Sequence, residues 1–126
     1  MDMTTLIAAL ILVESGGQSG LINGDQVGIL QQRPIFVAEV NRILGAEVYG
    51  LNDRTDPELA VEMAKIWLTY YKGRADQWTN DRDGVSNQSL ALIYNRGYAG
   101  WKLMDARKCP FDPYWLKVKE ALEGMK

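Results

Sequence analysis

The residue in this sequence best placed to do chemistry is a glutamate at the end of an apolar helix. Eight apolar residues, 6–13, run directly into Glu14 and Ser15, and two glycines follow. Burial strips water from a carboxylate, and the C-terminal end of a helix places partial negative charge beside it, so both effects raise the pKa of the group. Glu14 is therefore a candidate general acid. The alternative is that Glu14 only marks where the helix reaches solvent.

Two further short elements stand out. The first is Gly28-Ile29-Leu30-Gln31, an apolar turn that follows a polar loop, and the second is Tyr94-Asn95-Arg96-Gly97 at a predicted helix end. Each has a simpler alternative. Gln31 could be a solvated turn residue, Tyr94 could be core packing and Asn95 could cap a helix.

Composition excludes several other kinds of site. The chain has 126 residues, no histidine and one cysteine, Cys109. These counts exclude an internal disulfide framework, a Ser-His-Asp triad, a Cys-His pair and an ordinary zinc site. Acid–base chemistry must then come from carboxylates, tyrosine or lysine, and we expect neither a metal nor a cofactor. Cys109 is interpreted as a buried or incidental thiol rather than a nucleophile.

Charge and targeting signals limit the partners. The net charge of −2 gives no reason to expect nucleic acid, although a neutral polymer such as a polysaccharide stays possible. The N-terminal apolar run has Asp2 as the only charge before it and no cleavage site after it, which is unlike a signal peptide. It is also too short to span a membrane. We expect a protein made in the cytoplasm without stable membrane insertion.

The chain predicts one mainly α domain, residues 1–126, of about five to six helices with at most a short β ribbon. Helix starts are predicted at Thr4 or Thr5, Pro34, Asp56-Pro57, Ser86 and Asp112-Pro113. Glycines predict the helix ends after Ser15, at Gly45, at Gly73 and around 95–97. Residues 16–28 predict a loop with a hairpin around Asn23-Gly24, and residues 74–85 predict a polar loop.

The three short elements, in this order, resemble the transglycosylase SLT and goose-type lysozyme superfamily. That superfamily carries an E-S-x-x element, then G-[LI]-x-Q, then A-Y-N-x-G. The resemblance extends from Leu6 to Trp115 and is nearest to compact lysozyme-like domains of phages and secretion systems, where Q-x-R-P opens the next helix, as in residues 31–34. Ile93 and Leu30 depart from the family's alanine and methionine, but both stay apolar.

The resemblance implies a role for each matching residue. Glu14 matches the single catalytic acid, and Ser15 matches the serine near which substrate groups are held. Gln31 matches the glutamine that lines the sugar cleft. Tyr94 matches the tyrosine whose hydroxyl points at the acid, and Asn95 matches the asparagine that contacts the N-acetyl sugar.

Aromatic residues after the third element could extend that site. Tyr98 and Trp101 could flank the cleft and stack on sugars, whereas Trp67 and Trp115 lie on apolar helix faces and are predicted to be core. Arg96 could meet peptide-stem carboxylates or could be an ordinary surface arginine.

The implied reaction is cleavage of the β-1,4 bond between N-acetylmuramic acid and N-acetylglucosamine in a peptidoglycan strand. A lytic transglycosylase needs one glutamate, because the substrate's N-acetyl group stabilises the oxocarbenium-like centre. A glycosidase normally uses two carboxylates, and Asp25 is the nearest candidate for the second. If Asp25 positions a water, the same site is a hydrolytic lysozyme. Asp25 could instead form an Asx-type turn at residues 23–25.

Two alternatives have no catalysis: a glycan-binding or virion module that keeps the fold, and a plain helical interaction domain. For the enzyme we expect a monomer that acts on the bacterial cell wall. A phage endolysin, a virion-carried enzyme or a domain of a longer protein would each fit.

Overall fold

A computed structural model describes residues 3–125, and this part of the chain is mainly helical, as predicted. Its α-helices are α1 (Thr4–Glu14), α2 (Pro34–Leu44), α3 (Pro57–Thr79), α4 (Asn87–Lys102) and α5 (Pro113–Gly124). Two short strands, β1 (Ile22–Asn23) and β2 (Gln26–Val27), form an antiparallel hairpin. Short 3-10 helices cover Leu51–Thr55 and Cys109–Phe111.

The described chain divides into two compact units, the N-terminal unit (residues 3–67) and the C-terminal unit (residues 68–125), and the division falls within α3. Fully buried side chains of the N-terminal unit include Leu6, Ile7, Leu10, Leu30, Val40 and Met63. Those of the C-terminal unit include Leu68, Leu90, Leu92, Ile93 and Val118. Each unit therefore has its own set of buried apolar side chains. The expectation of one domain over residues 1–126 stays a prediction.

Local capping chemistry sets most helix ends where the sequence predicts them. Asp56 Oδ1 accepts two backbone N–H groups of the first turn of α3, at 3.0 and 3.2 Å. Ser86 Oγ accepts one N–H at 3.3 Å, and Asp112 Oδ1 accepts two at 2.9 and 3.2 Å. Gly45 ends α2 in the left-handed conformation, with φ of 74°. The hairpin around Asn23-Gly24 is confirmed as well.

One predicted helix end, at Gly73, is wrong, and one predicted cap differs. Helix α1 begins at Thr4, but its N-cap is Met3 and no side chain caps it. Helix α3 continues through Gly73 to Thr79, because Gly73 keeps a negative φ and its neighbours Tyr71 and Ala75 are buried. A glycine inside a helix costs about 1 kcal/mol relative to alanine, which burial of such neighbours offsets.

The helix end predicted around residues 95–97 is confirmed. Gly97 takes φ of 79° and ψ of 162°, which is not helical, so the first helical segment of α4 ends there and a second segment follows to Lys102. Only glycine adopts this combination readily. The glycine therefore divides α4 into two segments with a kink between them. Within residues 3–125, no helix combines the length and the apolar character needed to cross a membrane.

Candidate active site

Glu14 is the last residue of α1 and is half-buried. The buried residues of this helix are Leu6, Ile7, Ala9 and Leu10, whereas Leu12, in its last turn, is 53% exposed. The middle of the helix is therefore buried, whereas the turn that carries Glu14 is partly exposed. Glu14 follows the buried part of the helix and does not belong to it.

Ser15 fixes the end of α1 to the second short element. Its side chain is buried, and Oγ donates a hydrogen bond of 2.7 Å to the carbonyl oxygen of Ile29. Ser15 Oγ also accepts the N–H of Gly17 at 3.0 Å, which helps to turn the chain away from the helix. A buried carbonyl that lost this donor would be left unsatisfied. Ser15 thus joins the glutamate-bearing helix end to the turn at residues 28–31.

Gly28 begins that turn at a position where no other residue fits. Its φ is 89°, and a Cβ placed on it would lie 1.9 Å from the carbonyl oxygen of Arg54. The glycine is required both by its backbone conformation and by this close approach.

Gln31 ends the same turn and is only 8% exposed. Its backbone has φ of 48°, and its side-chain Nε2 donates to the carbonyl oxygens of Leu21 and Gly28 at 3.0 and 2.9 Å. The alternative of a solvated turn residue is therefore wrong. The side-chain amide thus joins the turn at residues 28–31 to the residue just before β1.

Asp25 lies in the hairpin turn between β1 and β2 and is exposed. Its Oδ1 lies 3.6 Å from Nε of Arg33, another exposed residue. Arg54 anchors the hairpin, because its Nη1 donates hydrogen bonds to the carbonyl oxygens of Asp25 and Gln32, each at 3.1 Å. The carboxylate is thus presented on an anchored hairpin. No local sequence pattern indicates this role for Arg54.

The other predicted site residues belong to the C-terminal unit. Tyr94 is half-buried and Asn95 is exposed, and both lie in α4 just before the kink at Gly97. Arg96 forms an ion pair with the buried carboxylate of Asp112. Arg96 is therefore more than an ordinary surface arginine. To pair with a carboxylate of a peptide stem, it would have to give up its ion pair with Asp112.

Comparison with known proteins yields no relative. No family model, curated protein or solved structure matches the chain. The roles that the resemblance implies for individual residues therefore stay predictions.

The aromatic residues after the third element differ from the expectation. Trp101 is 8% exposed and packs against Trp78 and Tyr98 at ring-centroid distances of 5.5 and 5.9 Å, so it is not an open platform for a sugar. Tyr98 is half-buried, and its hydroxyl donates to the carbonyl oxygen of Arg74 at 3.2 Å. The exposed ring of this group is Trp78, 56% exposed, which the sequence analysis missed. Trp67 is core, as predicted, whereas Trp115 is only half-buried.

Two titratable groups near α5 have shifted pKa values. Burial raises the pKa of Asp112, but the Arg96 guanidinium and the N–H groups of Trp115 and Tyr114 outweigh it and hold the pKa below its usual value. Burial, together with the Asp112 charge, raises the pKa of the Cys109 thiol. A raised thiol pKa and burial both suit an inert cysteine. Among residues 3–125, no three acidic, cysteine or histidine side chains converge in a way that could hold a metal ion.

Proposed function

We propose that this protein is a peptidoglycan-degrading glycosidase, a lytic transglycosylase that cleaves the β-1,4 bond between N-acetylmuramic acid and N-acetylglucosamine with Glu14 as its single catalytic acid. The observation that carries the proposal is the buried 2.7 Å hydrogen bond from Ser15 to Ile29. It connects the first two elements of the resemblance at the atoms next to Glu14. A catalytic acid must be held in a fixed position, and this bond fixes the residue next to Glu14.

In the proposed reaction, protonated Glu14 donates its proton to the glycosidic oxygen, and the bond from that oxygen to C1 of the muramyl residue breaks. The oxocarbenium-like centre at C1 is stabilised by the substrate's own N-acetyl group. Glu14, now a carboxylate, takes the proton of the muramyl 6-hydroxyl, and the 6-oxygen bonds to C1. The products are a free 4-hydroxyl and a 1,6-anhydro ring, and Glu14 is protonated again.

The position of Glu14 supports both halves of this cycle. The partial negative charge at the end of α1 favours the protonated acid that the first step needs. Glu14 is only partly buried, as an acid that must reach a glycosidic oxygen needs to be. The residues proposed to bind substrate are Ser15, Asp25 and Gln31 of the N-terminal unit and Tyr94, Asn95 and Tyr98 of the C-terminal unit. The substrate is a glycan strand of the bacterial cell wall, and the protein acts as a monomer.

A hydrolytic lysozyme is the second candidate, and the placement of Asp25 favours it. The Asp25 carboxylate stands on a hairpin of the same unit, beside Arg33 and anchored by Arg54. In that reaction Asp25 positions a water that attacks C1, and the product carries an ordinary reducing end.

Mass spectrometry of fragments released from purified peptidoglycan tests the proposal, with wild type beside Glu14→Gln. Anhydro-muramyl products from the wild type alone support the transglycosylase. Hydrated reducing ends that disappear in the variant identify a lysozyme and make Asp25→Asn the next variant. If the folded wild-type protein releases no fragments at any pH and salt concentration tested, the enzymatic proposal is wrong and a glycan-binding or virion module takes its place.

A further inference from the structure

A group of aromatic and basic side chains forms one surface of the C-terminal unit. Tyr70, Arg74 and Trp78 follow each other at intervals of four residues along α3, so they share one face of that helix. Tyr98 and Lys102 come from the part of α4 that lies after the kink at Gly97. We call these five residues the aromatic-basic patch.

Ring contacts hold the two cations of the patch in place. The Arg74 guanidinium carbon lies 5.2 Å from the ring centroid of Tyr98 and 5.9 Å from that of Tyr70. Lys102 Nζ lies 4.7 Å from the centroid of Tyr98 and 5.7 Å from that of Trp78. Such contacts order a cation without neutralising it.

The charges of these two cations are not compensated by carboxylates. Within the described residues of this unit, Lys72, Arg96 and Arg107 each form a salt bridge, whereas Arg74 and Lys102 form none. The patch therefore offers two ordered positive charges beside the exposed ring of Trp78, whose side chain is 56% exposed. This is the combination that binds a sugar ring together with a nearby anionic group.

We propose that the aromatic-basic patch is a binding site for carboxylate-bearing peptidoglycan strands. A sugar ring stacks on Trp78, and carboxylates of the muramyl peptide stems pair with Arg74 and Lys102. The choice of this polymer rests on the proposed function. The site itself rests on the ring contacts and on the uncompensated charges.

The alternative polymer with rings and anions is a single-stranded nucleic acid, and the charges argue against it. Such strands carry one phosphate per nucleotide and are bound in continuous positive grooves. The patch has two unpaired cations, and Asp81 and Asp83 lie exposed in the loop that follows α3. Two cations do not make a continuous positive groove, but they suit a polymer with widely spaced carboxylates.

Co-sedimentation with purified, insoluble peptidoglycan tests the proposal, using the Glu14→Gln protein so that the polymer stays intact. Trp78→Ala and Lys102→Gln are each added to that background. Phe111→Ala, an aromatic residue 75% exposed in the same unit, and Lys119→Gln, an exposed lysine of α5, are the matched controls. Lys102→Arg keeps the charge. Thermal unfolding verifies that each variant is folded.

We expect each patch variant to bind about five- to tenfold more weakly, the range for loss of one stacking or charge-pair contact, and the two controls and Lys102→Arg to bind as the parent does. Peptidoglycan whose carboxyl groups are converted to amides should weaken parent binding and abolish the effect of Lys102→Gln. The proposal is overturned if the patch variants bind like the controls, if the parent is not retained, or if amidation changes nothing. Tighter binding of an oligo-dT strand, lost in the same variants, would show a nucleic-acid site instead.

Failure of the proposed function gives a different pattern. If wild type releases no fragments but the patch variants lose binding, the proposed binding site is supported and the proposed enzymatic activity is rejected. If wild type releases fragments and the patch variants bind normally, the enzymatic activity is supported and the binding site is rejected.

Discussion

The two units hold their candidate functional side chains by different physical means. In the N-terminal unit, Ser15, Gln31 and Arg54 each donate hydrogen bonds to backbone carbonyl oxygens, and Gly28 allows two chain segments to touch. In the C-terminal unit, the aromatic-basic patch is held mainly by ring–ring and cation–ring contacts.

The difference bears on what each region can do. Hydrogen bonds to buried carbonyls are directional, and losing one leaves an unsatisfied group, so they fix a position closely. Cation–ring contacts at an exposed surface are weaker and tolerate sideways displacement. A catalytic acid needs the first kind of support, whereas a surface that binds a variable polymer is better served by the second. Substitutions in the two regions should therefore differ in cost.

The largest effect on stability is expected from Gly28→Ala. The added Cβ meets the carbonyl of Arg54 and the backbone has a positive φ, so we expect a loss of about 3 kcal/mol in the free energy of unfolding. Urea unfolding measures it. Gly24→Ala, at a hairpin glycine with positive φ but open space around it, is the control and should cost less. Equal costs would show that the contact with Arg54 is unimportant.

The next largest effect is expected from Asp112→Ala, at a buried polar anchor of the C-terminal unit. It removes the cap of α5 and the partner of Arg96, which should cost about 2 kcal/mol at pH 7. Asp105→Ala is the control, because its partner Arg107 is almost fully exposed, and it should cost less.

The same residue predicts a pH dependence. The pKa of Asp112 is lower in the folded protein than in the unfolded chain, so its stabilisation is fully present above the unfolded pKa of about 3.9 and is lost as the pH falls through the folded pKa. Wild type should therefore lose stability on acidification below about pH 4 more steeply than Asp112→Ala. Parallel curves would contradict the assignment.

A smaller loss of stability, with a clear loss of activity, is expected from Ser15→Ala. The variant leaves the buried carbonyl of Ile29 without its donor, at a cost of about 1.5 kcal/mol. Because Glu14 then loses its fixed neighbour, peptidoglycan cleavage should fall by about tenfold or more. Ser19→Ala, another serine of the same loop, is the control. Normal cleavage by a folded Ser15→Ala protein would show that the hydrogen bond from Ser15 to Ile29 is not needed for catalysis.

The smallest effect is expected from Arg74→Gln in the aromatic-basic patch. It removes two cation–ring contacts at an exposed position, so we expect about 0.5 kcal/mol of lost stability. A thermal unfolding scan measures it. A cost as large as that of Ser15→Ala would remove the distinction between the two regions.

Local sequence signals predicted much of the fold. Caps such as Asp56, Ser86 and Asp112 act within one helical turn, so sequence alone locates them. The glycine signal failed at Gly73 and held at Gly97, because whether a glycine ends or merely occupies a helix depends on the burial of its neighbours and on its φ. The error at Gly73 hid the spacing of Tyr70, Arg74 and Trp78.

The sequence nominates residues for the candidate site but does not predict their contacts. Glu14, Ser15 and Gln31 could be selected from their types and spacing. The bond from Ser15 to Ile29 and the approach of Arg54 to Gly28 join residues distant in sequence, which no local pattern encodes. Trp101 was misassigned for the same reason, because its burial depends on Trp78 in another helix.

The central claim, that Glu14 is the catalytic acid, is tested most directly by the rate at which soluble fragments are released from peptidoglycan by Glu14→Gln. Glu58→Gln, an exposed glutamate of the same unit, is the matched control. We predict that Glu14→Gln stays folded and loses cleavage by about a thousandfold or more, whereas the control cleaves like wild type. Cleavage by folded Glu14→Gln at the wild-type rate would contradict the account.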